Sequence, residues 1–96
     1  MRPSTALDAN RQAVRSVAAK FKATNPRVFG SVVYGSDSDG SDLDLLVDPL
    51  PGATLFDFGG LHVALEEMLG VRVDLLTPGD LPPSFRAAVL REAVPV

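Results

Sequence analysis

Seven consecutive residues, Gly35-Ser36-Asp37-Ser38-Asp39-Gly40-Ser41, are all small or turn-forming, and an apolar run, Leu43-Asp44-Leu45-Leu46-Val47, follows almost at once. The first stretch offers nothing to bury and reads as a loop. The second reads as a strand, entered by Asp42 and closed by Pro49 and Pro51. So abrupt a passage from loop to buried strand leaves Asp42 and Asp44 at the strand's mouth. Side chains two apart on a strand leave on the same face, so these two carboxylates are a pair.

The flanking segments predict the rest of the layout. Residues 4–22 read as a first helix, with Asn10, Val14, Val17, Ala18 and Phe21 recurring at three- and four-residue spacings. Thr24-Asn25-Pro26 ends it, because the residue before proline is pushed out of the α region. Arg27-Val28-Phe29 then starts an extended piece that runs into Gly30-Ser31 and a short turn of helix, Val32-Val33-Tyr34. Thr54-Leu55-Phe56-Asp57 has the form of a capping box. The helix it opens carries Phe58, Leu61, Leu65 and Met68 on one face and stops at Gly70, while Gly59-Gly60 weaken its first turn by about 1 kcal/mol each. Val71 to Leu76 form a third strand. Asp80 caps a last helix through Phe85, Val89 and Glu92, with Pro82 and Pro83 in its first turn. The order is α-β-β-α-β-α over a single domain, residues 1–96, of α+β or α/β class with a small sheet.

Composition narrows the chemistry. With no cysteine there is no disulfide, no thiolate nucleophile and no cysteine-based zinc site, and a single histidine excludes a multi-histidine metal centre. A net charge of −3 disfavours direct nucleic-acid binding, since phosphate backbones attract basic surfaces. No apolar run reaches the roughly 18 residues of a membrane span. Residues Met1 to Ala6 lack the apolar core of a secretory signal, so the expected compartment is the cytoplasm. A chain of 96 residues also buries only about 60–65% of its unfolded surface, less than a larger domain does, which leaves room for self-association or a hetero-complex.

What remains is phosphate chemistry. Two neighbouring carboxylates repel unless a cation sits between them, and oxygen-only ligands suit Mg²⁺, which keeps waters and takes phosphate oxygens to complete its shell. Gly30 allows close approach of the backbone to a ligand, and Ser31 follows it at the start of a helical turn. Metal-binding carboxylates beside an anion cradle are what metal-assisted phosphoryl or nucleotidyl transfer requires. Asp74 is a third acid, interrupting an otherwise apolar strand where a lone carboxylate is costly unless paired or metal-bound. If the two strands are neighbours, Asp74 joins Asp42 and Asp44, as a ligand of the same ion or as acceptor of a proton from an attacking hydroxyl. An EF-hand over Asp37 and Asp39 is rejected, because its sixth position would be Asp42 instead of Gly and its twelfth Asp48 instead of Glu. Asp37, Asp39 and Asp48 therefore read as turn or solvated residues, and His62 as a surface or core-edge residue. No phosphate-binding Gly-x4-Gly-Lys loop occurs.

The pattern Gly30-Ser31-x10-Asp42-x-Asp44, followed by Leu45-Leu46-Val47 and a later strand acid at Asp74, resembles the DNA polymerase β-like nucleotidyltransferase superfamily. The small size resembles its minimal nucleotidyltransferase branch, the MntA-like antitoxins of HEPN/MNT toxin–antitoxin pairs. The resemblance implies a nucleotidyltransferase fold in which Gly30 and Ser31 hold the triphosphate of ATP, Asp42 and Asp44 bind two Mg²⁺ ions, and Asp74 completes a catalytic, metal-binding triad. It implies transfer of AMP from ATP to a tyrosine of a partner HEPN ribonuclease toxin. Many relatives place an arginine where this chain has Tyr34, which implies either weaker triphosphate binding or a cation supplied by Arg27 or Arg72 instead. Two other readings stand beside this one. One is a degenerate nucleotidyltransferase that neutralises its toxin by binding alone. The other is transfer to a small molecule such as an aminoglycoside, although those enzymes carry a further acceptor-binding domain. The Arg-x4–6-His signature of the HEPN nucleases is absent, so the chain is not the toxin.

Overall fold

The computed structural model describes residues 1–96. Five helices, α1 (Pro3–Asp8), α2 (Arg11–Lys20), α3 (Ser31–Tyr34), α4 (Leu55–Leu69) and α5 (Pro83–Glu92), accompany four strands, β1 (Ala23–Phe29), β2 (Leu43–Pro49), β3 (Val73–Leu76) and β4 (Val94–Pro95). The strands form one mixed sheet of order β3-β2-β1-β4. β1 is antiparallel to both β2 and β4, whereas β2 and β3 run parallel. This is the mixed α+β architecture that the element order predicts.

Alternation along the strands decides which face is buried. Leu43, Leu45 and Val47 of β2 and Val73 and Leu75 of β3 turn inward, and join Val28 of β1 in one core. The core is closed by Val14 and Ala18 of α2 and by Leu61, Leu65 and Leu69 of α4. The residues between them on β2 and β3 (Asp44, Leu46, Asp74, Leu76) leave the sheet on its other face. No helix is long and apolar enough to cross a membrane.

Helix α4 matches its sequence signals closely. The Thr54 hydroxyl accepts the Asp57 N–H at 3.2 Å while the Asp57 carboxylate accepts the Thr54 N–H at 2.9 Å, and Gly70 ends the helix in the left-handed region. Gly60 is needed there because of its neighbour: an added Cβ would stand 2.6 Å from Cε1 of Phe21.

Four expectations are corrected. The single helix over 4–22 is two helices, broken at Ala9-Asn10, where the Asn10 amide donates to the Ala6 carbonyl at 2.9 Å and competes with a continuous helix. Strand β1 begins at Ala23 and passes through Pro26, which is tolerated because the register slips between Thr24 and Arg27 and the missing N–H falls in the irregularity. Asp80 does not cap α5. It forms a second capping box with Thr77 around a 3-10 turn (Pro78–Asp80), and α5 starts at Pro83. Finally, Val94-Pro95 add a short edge strand that no periodicity in two residues could announce.

Candidate active site

The acids meet at the mouth of β2. In the parallel ladder Asp44 is the register partner of Asp74, so both carboxylates leave the sheet on the face opposite the main core. Asp42 lies two residues upstream, its position secured by the next amide: Leu43 N–H donates to the Arg72 carbonyl at 2.8 Å. On the other side of β2, Asp44 is the register partner of Phe29, the last residue of β1. The chain turns sharply there. Gly30 has φ 74° and ψ −146°, a conformation closed to other residues except under strain, and its Cα lies so close to Asp44 that an added Cβ would overlap Oδ2. Ser31 then opens the four-residue α3, which Gly35 ends in the left-handed region.

The electrostatics follow from this crowding. Partial burial, then the like charges of Asp74 and Asp42, push the Asp44 carboxyl up to about 6. A site that penalises its own negative charge favours a cation. The donors are carboxylate oxygens, which fit a hard ion such as Mg²⁺. Electrostatic repulsion reaches farther than coordination, however, and no three acids of the chain close into a ligand group by themselves. A bound ion would complete its shell from water and phosphate oxygens.

The site is open. None of its three acids lines any of the molecule's three clefts. The apolar cleft of about 330 Å³ lies at the other end of β2, against Val47, Pro49, Leu55 and Phe58.

The two arginines considered for a cation part company. Arg27 donates to Asp48 at 2.6 Å, and its side chain is only 13% exposed. Arg72 contacts the site itself, with Nε 3.0 Å from Oδ1 of Asp42 and a side chain 77% exposed. Tyr34 is largely exposed, and its hydroxyl hydrogen-bonds Glu92 at the end of α5, which raises the phenol above its usual range.

Asp37 overturns the expectation of a solvated turn residue. Its side chain is fully buried, accepting the Ser4 N–H at 2.9 Å and Arg2 Nη2 at 2.8 Å, and these bonds hold it at about 2. The loop before Asp42 is thereby fastened to the start of α1. A buried Asp in a run of small polar residues carries no local signal, because its partners lie 33 and 35 positions away. Asp39 and Asp48 are paired acids near the surface, with the Met1 ammonium and Arg27. His62 sits at the core edge: its Nε2 lies 2.7 Å from the Val73 carbonyl, while the Glu66 carboxylate accepts the Val73 N–H at 2.9 Å, so α4 grips the start of β3.

Comparison with known proteins identifies the family and the fold. The sequence model of the nucleotidyltransferase domain matches residues 11–96. The protein adenylyltransferase MntA of Thermococcus cleftensis is 40% identical over 75 residues, 78% of this chain and 76% of that protein. A solved structure described as a minimal nucleotidyltransferase shares 49% identity and superposes with a TM-score of 0.87 over 100% of this chain and 97% of its own. A toxin–antitoxin structure with AMP-PNP, 19% identical, shares the fold at a TM-score of 0.74 over 90% of this chain and 71% of its own. The chain belongs to the nucleotidyltransferase domain family, in the company of the minimal nucleotidyltransferases and MntA-type protein adenylyltransferases.

Proposed function

We propose that this chain is a cytoplasmic antitoxin that transfers AMP from ATP, with Mg²⁺, to a tyrosine hydroxyl of a partner HEPN ribonuclease. One observation carries the reading: Asp44 and Asp74 stand in register on adjacent strands, with Asp42 two residues upstream and the Gly30-Ser31 turn pressed against Asp44. The similarity to an MntA-type protein adenylyltransferase supports the reaction class, and the fold shared with a toxin–antitoxin structure supports the kind of partner.

Gly30 and Ser31 would hold the triphosphate, Asp42 and Asp44 would hold Mg²⁺, and Asp74 would complete the acidic group. Bound Mg²⁺ would stabilise charge developing on the phosphoryl oxygens. Asp74 is exposed and, unlike Asp42, makes no ion pair with Arg72, and it accepts the proton of the incoming tyrosine hydroxyl. The phenolic oxygen bonds to the α-phosphorus as the bond from that phosphorus to the bridging oxygen breaks, and pyrophosphate leaves. Because the acids line no cleft, the acceptor protein must close the site with its own surface.

The test is direct. The protein, Mg-ATP and the cognate HEPN partner should yield a partner heavier by AMP, on tyrosine, and Asp42→Asn should abolish the increase. Absence of any mass change with the wild-type protein would refute the reading. Tyr34 favours a second reading, neutralisation by docking alone, because its side chain brings no positive charge to the turn after Gly30. In that case calorimetry finds no Mg-ATP binding, and the Asp42→Asn, Asp44→Asn double variant still protects cells.

A further inference from the structure

Of the nine lysines and arginines, only Arg72 pairs with an acid of the site. Its guanidinium lies 3.0 Å from Asp42 and 3.4 Å from the Gly40 carbonyl, yet the side chain is 77% exposed and the carboxylate 50% exposed. An ion pair this wet is weak and readily exchanged. Arg72 also borders a polar cleft of about 350 Å³ with Gly40, Ser41, Gly70 and Val71, and with Asp39, whose charge is already matched by the Met1 ammonium. The guanidinium therefore has space to swing away from Asp42 without unpacking the core. Meanwhile its backbone is fixed, because the Arg72 carbonyl accepts the Leu43 N–H at 2.8 Å. A long, fixed-base cation is thus tethered at the edge of a cluster that must receive both a cation and a polyanion.

Resting on the nucleotidyltransferase reading above, we infer that Arg72 is an exchangeable counter-charge: it occupies Asp42 before substrate arrives and moves onto the triphosphate of the incoming nucleotide. Guanidinium groups recognise phosphate with two parallel hydrogen bonds, which lysine does not reproduce. In the free protein Arg72 competes with a divalent ion for Asp42. In the complex the same group binds substrate. Its removal therefore acts in opposite directions on the two ligands.

The experiment is calorimetric titration of the wild-type protein, Arg72→Ala and Arg72→Lys with Mn²⁺ alone and then with Mg-AMP-PNP. Arg72→Ala should bind Mn²⁺ about two- to fivefold more tightly, the worth of an exposed ion pair. It should bind Mg-AMP-PNP about tenfold more weakly, the worth of a charge-assisted phosphate contact. Arg72→Lys should fall between on the nucleotide. If the wild type binds both ligands and Arg72→Ala binds both equally well, or loses both together, the inference is overturned while the nucleotidyltransferase reading stands. If the wild type binds neither, both fall. Unchanged circular dichroism and melting of Arg72→Ala would separate these outcomes from loss of fold.

Discussion

An added Cβ on Gly30 would overlap Oδ2 of Asp44 and lie 3.1 Å from its Cγ. The turn and the acid are therefore built as one unit, since the same glycine that lets the chain reverse at the end of β1 also makes room for the carboxylate. Gly30→Ala meets two obstacles, a positive φ of 74° and a side chain where Asp44 already stands. Backbone strain of this kind costs about 1–3 kcal/mol. Displacing the carboxylate by even an ångström should lower AMP transfer about 100-fold. Thermal melts and AMP transfer measured together check this. In the double variant with Asp44→Ala, part of the stability returns but no activity does.

The two glycines inside α4 should behave oppositely. An added Cβ on Gly59 meets nothing within 4 Å, whereas on Gly60 it meets Phe21 at 2.6 Å. Gly59→Ala should stabilise the protein by about 0.5–1 kcal/mol, the helical advantage of alanine. Gly60→Ala gains the same advantage but must push the Phe21 ring aside, and overpacking costs about 1–3 kcal/mol. Urea unfolding of the two variants should shift the midpoint in opposite directions, and Phe21→Leu should rescue Gly60→Ala.

Features that rest on neighbours in sequence were legible in it. The capping box at Thr54 and Asp57 and the left-handed stop at Gly70 depend on spacings of a few residues, and spacing is what a sequence displays. The pairing of Asp44 with Asp74 was conditional on two strands being neighbours, and the parallel ladder satisfies that condition. The break at Asn10 is hidden because Asn10 itself falls in step with Val14, Val17 and Ala18, while its side-chain bond to the Ala6 carbonyl has no periodic sign. Thr24-Asn25-Pro26 reads as a helix stop, and only the slipped register between paired strands admits Pro26 into β1. The bonds of Asp37 to Arg2 and Ser4, and the choice between Arg27 and Arg72 that the pair with Asp42 makes visible, are beyond local reasoning. Long-range charge pairing leaves no periodic trace.

The Asp37 brace should make the protein acid-sensitive. Its carboxyl lies at about 2, held down first by the Ser4 N–H, against 3.8 in the absence of partners. A depressed acid contributes stability above its unfolded value and loses it as pH falls, here from about 4 toward 2. Asp37→Ala should melt at a lower temperature than wild type at pH 7, and the gap should narrow steadily toward pH 2. A gap of constant size across that range would mean that shape, and not charge, sets the role of Asp37.

Asp44 has the reverse sign. Its carboxyl is raised to about 6 by burial and by Asp74 and Asp42, so between the unfolded value of 3.8 and about 6 the folded protein binds a proton that the unfolded chain has released. Stability therefore falls as pH rises through that interval, and below it the two states are alike. Two pH units would correspond to about 3 kcal/mol, and water around the exposed Asp74 and half-exposed Asp42 reduces this to about 1–2 kcal/mol. Asp44→Asn removes the ionisable group while nearly preserving its shape. The variant should melt at a higher temperature than wild type at pH 7.5, at the same temperature near pH 4, and transfer no AMP. Saturating Mg²⁺ should erase the wild type's deficit at pH 7.5 without affecting the variant, because a cation held by Asp42 and Asp44 cancels the repulsion that destabilises the folded state. A variant that melts below wild type at pH 7.5 would mean that the Asp44 charge is stabilised in the free protein by a partner group, and the cation-receiving character of the site would be lost with it.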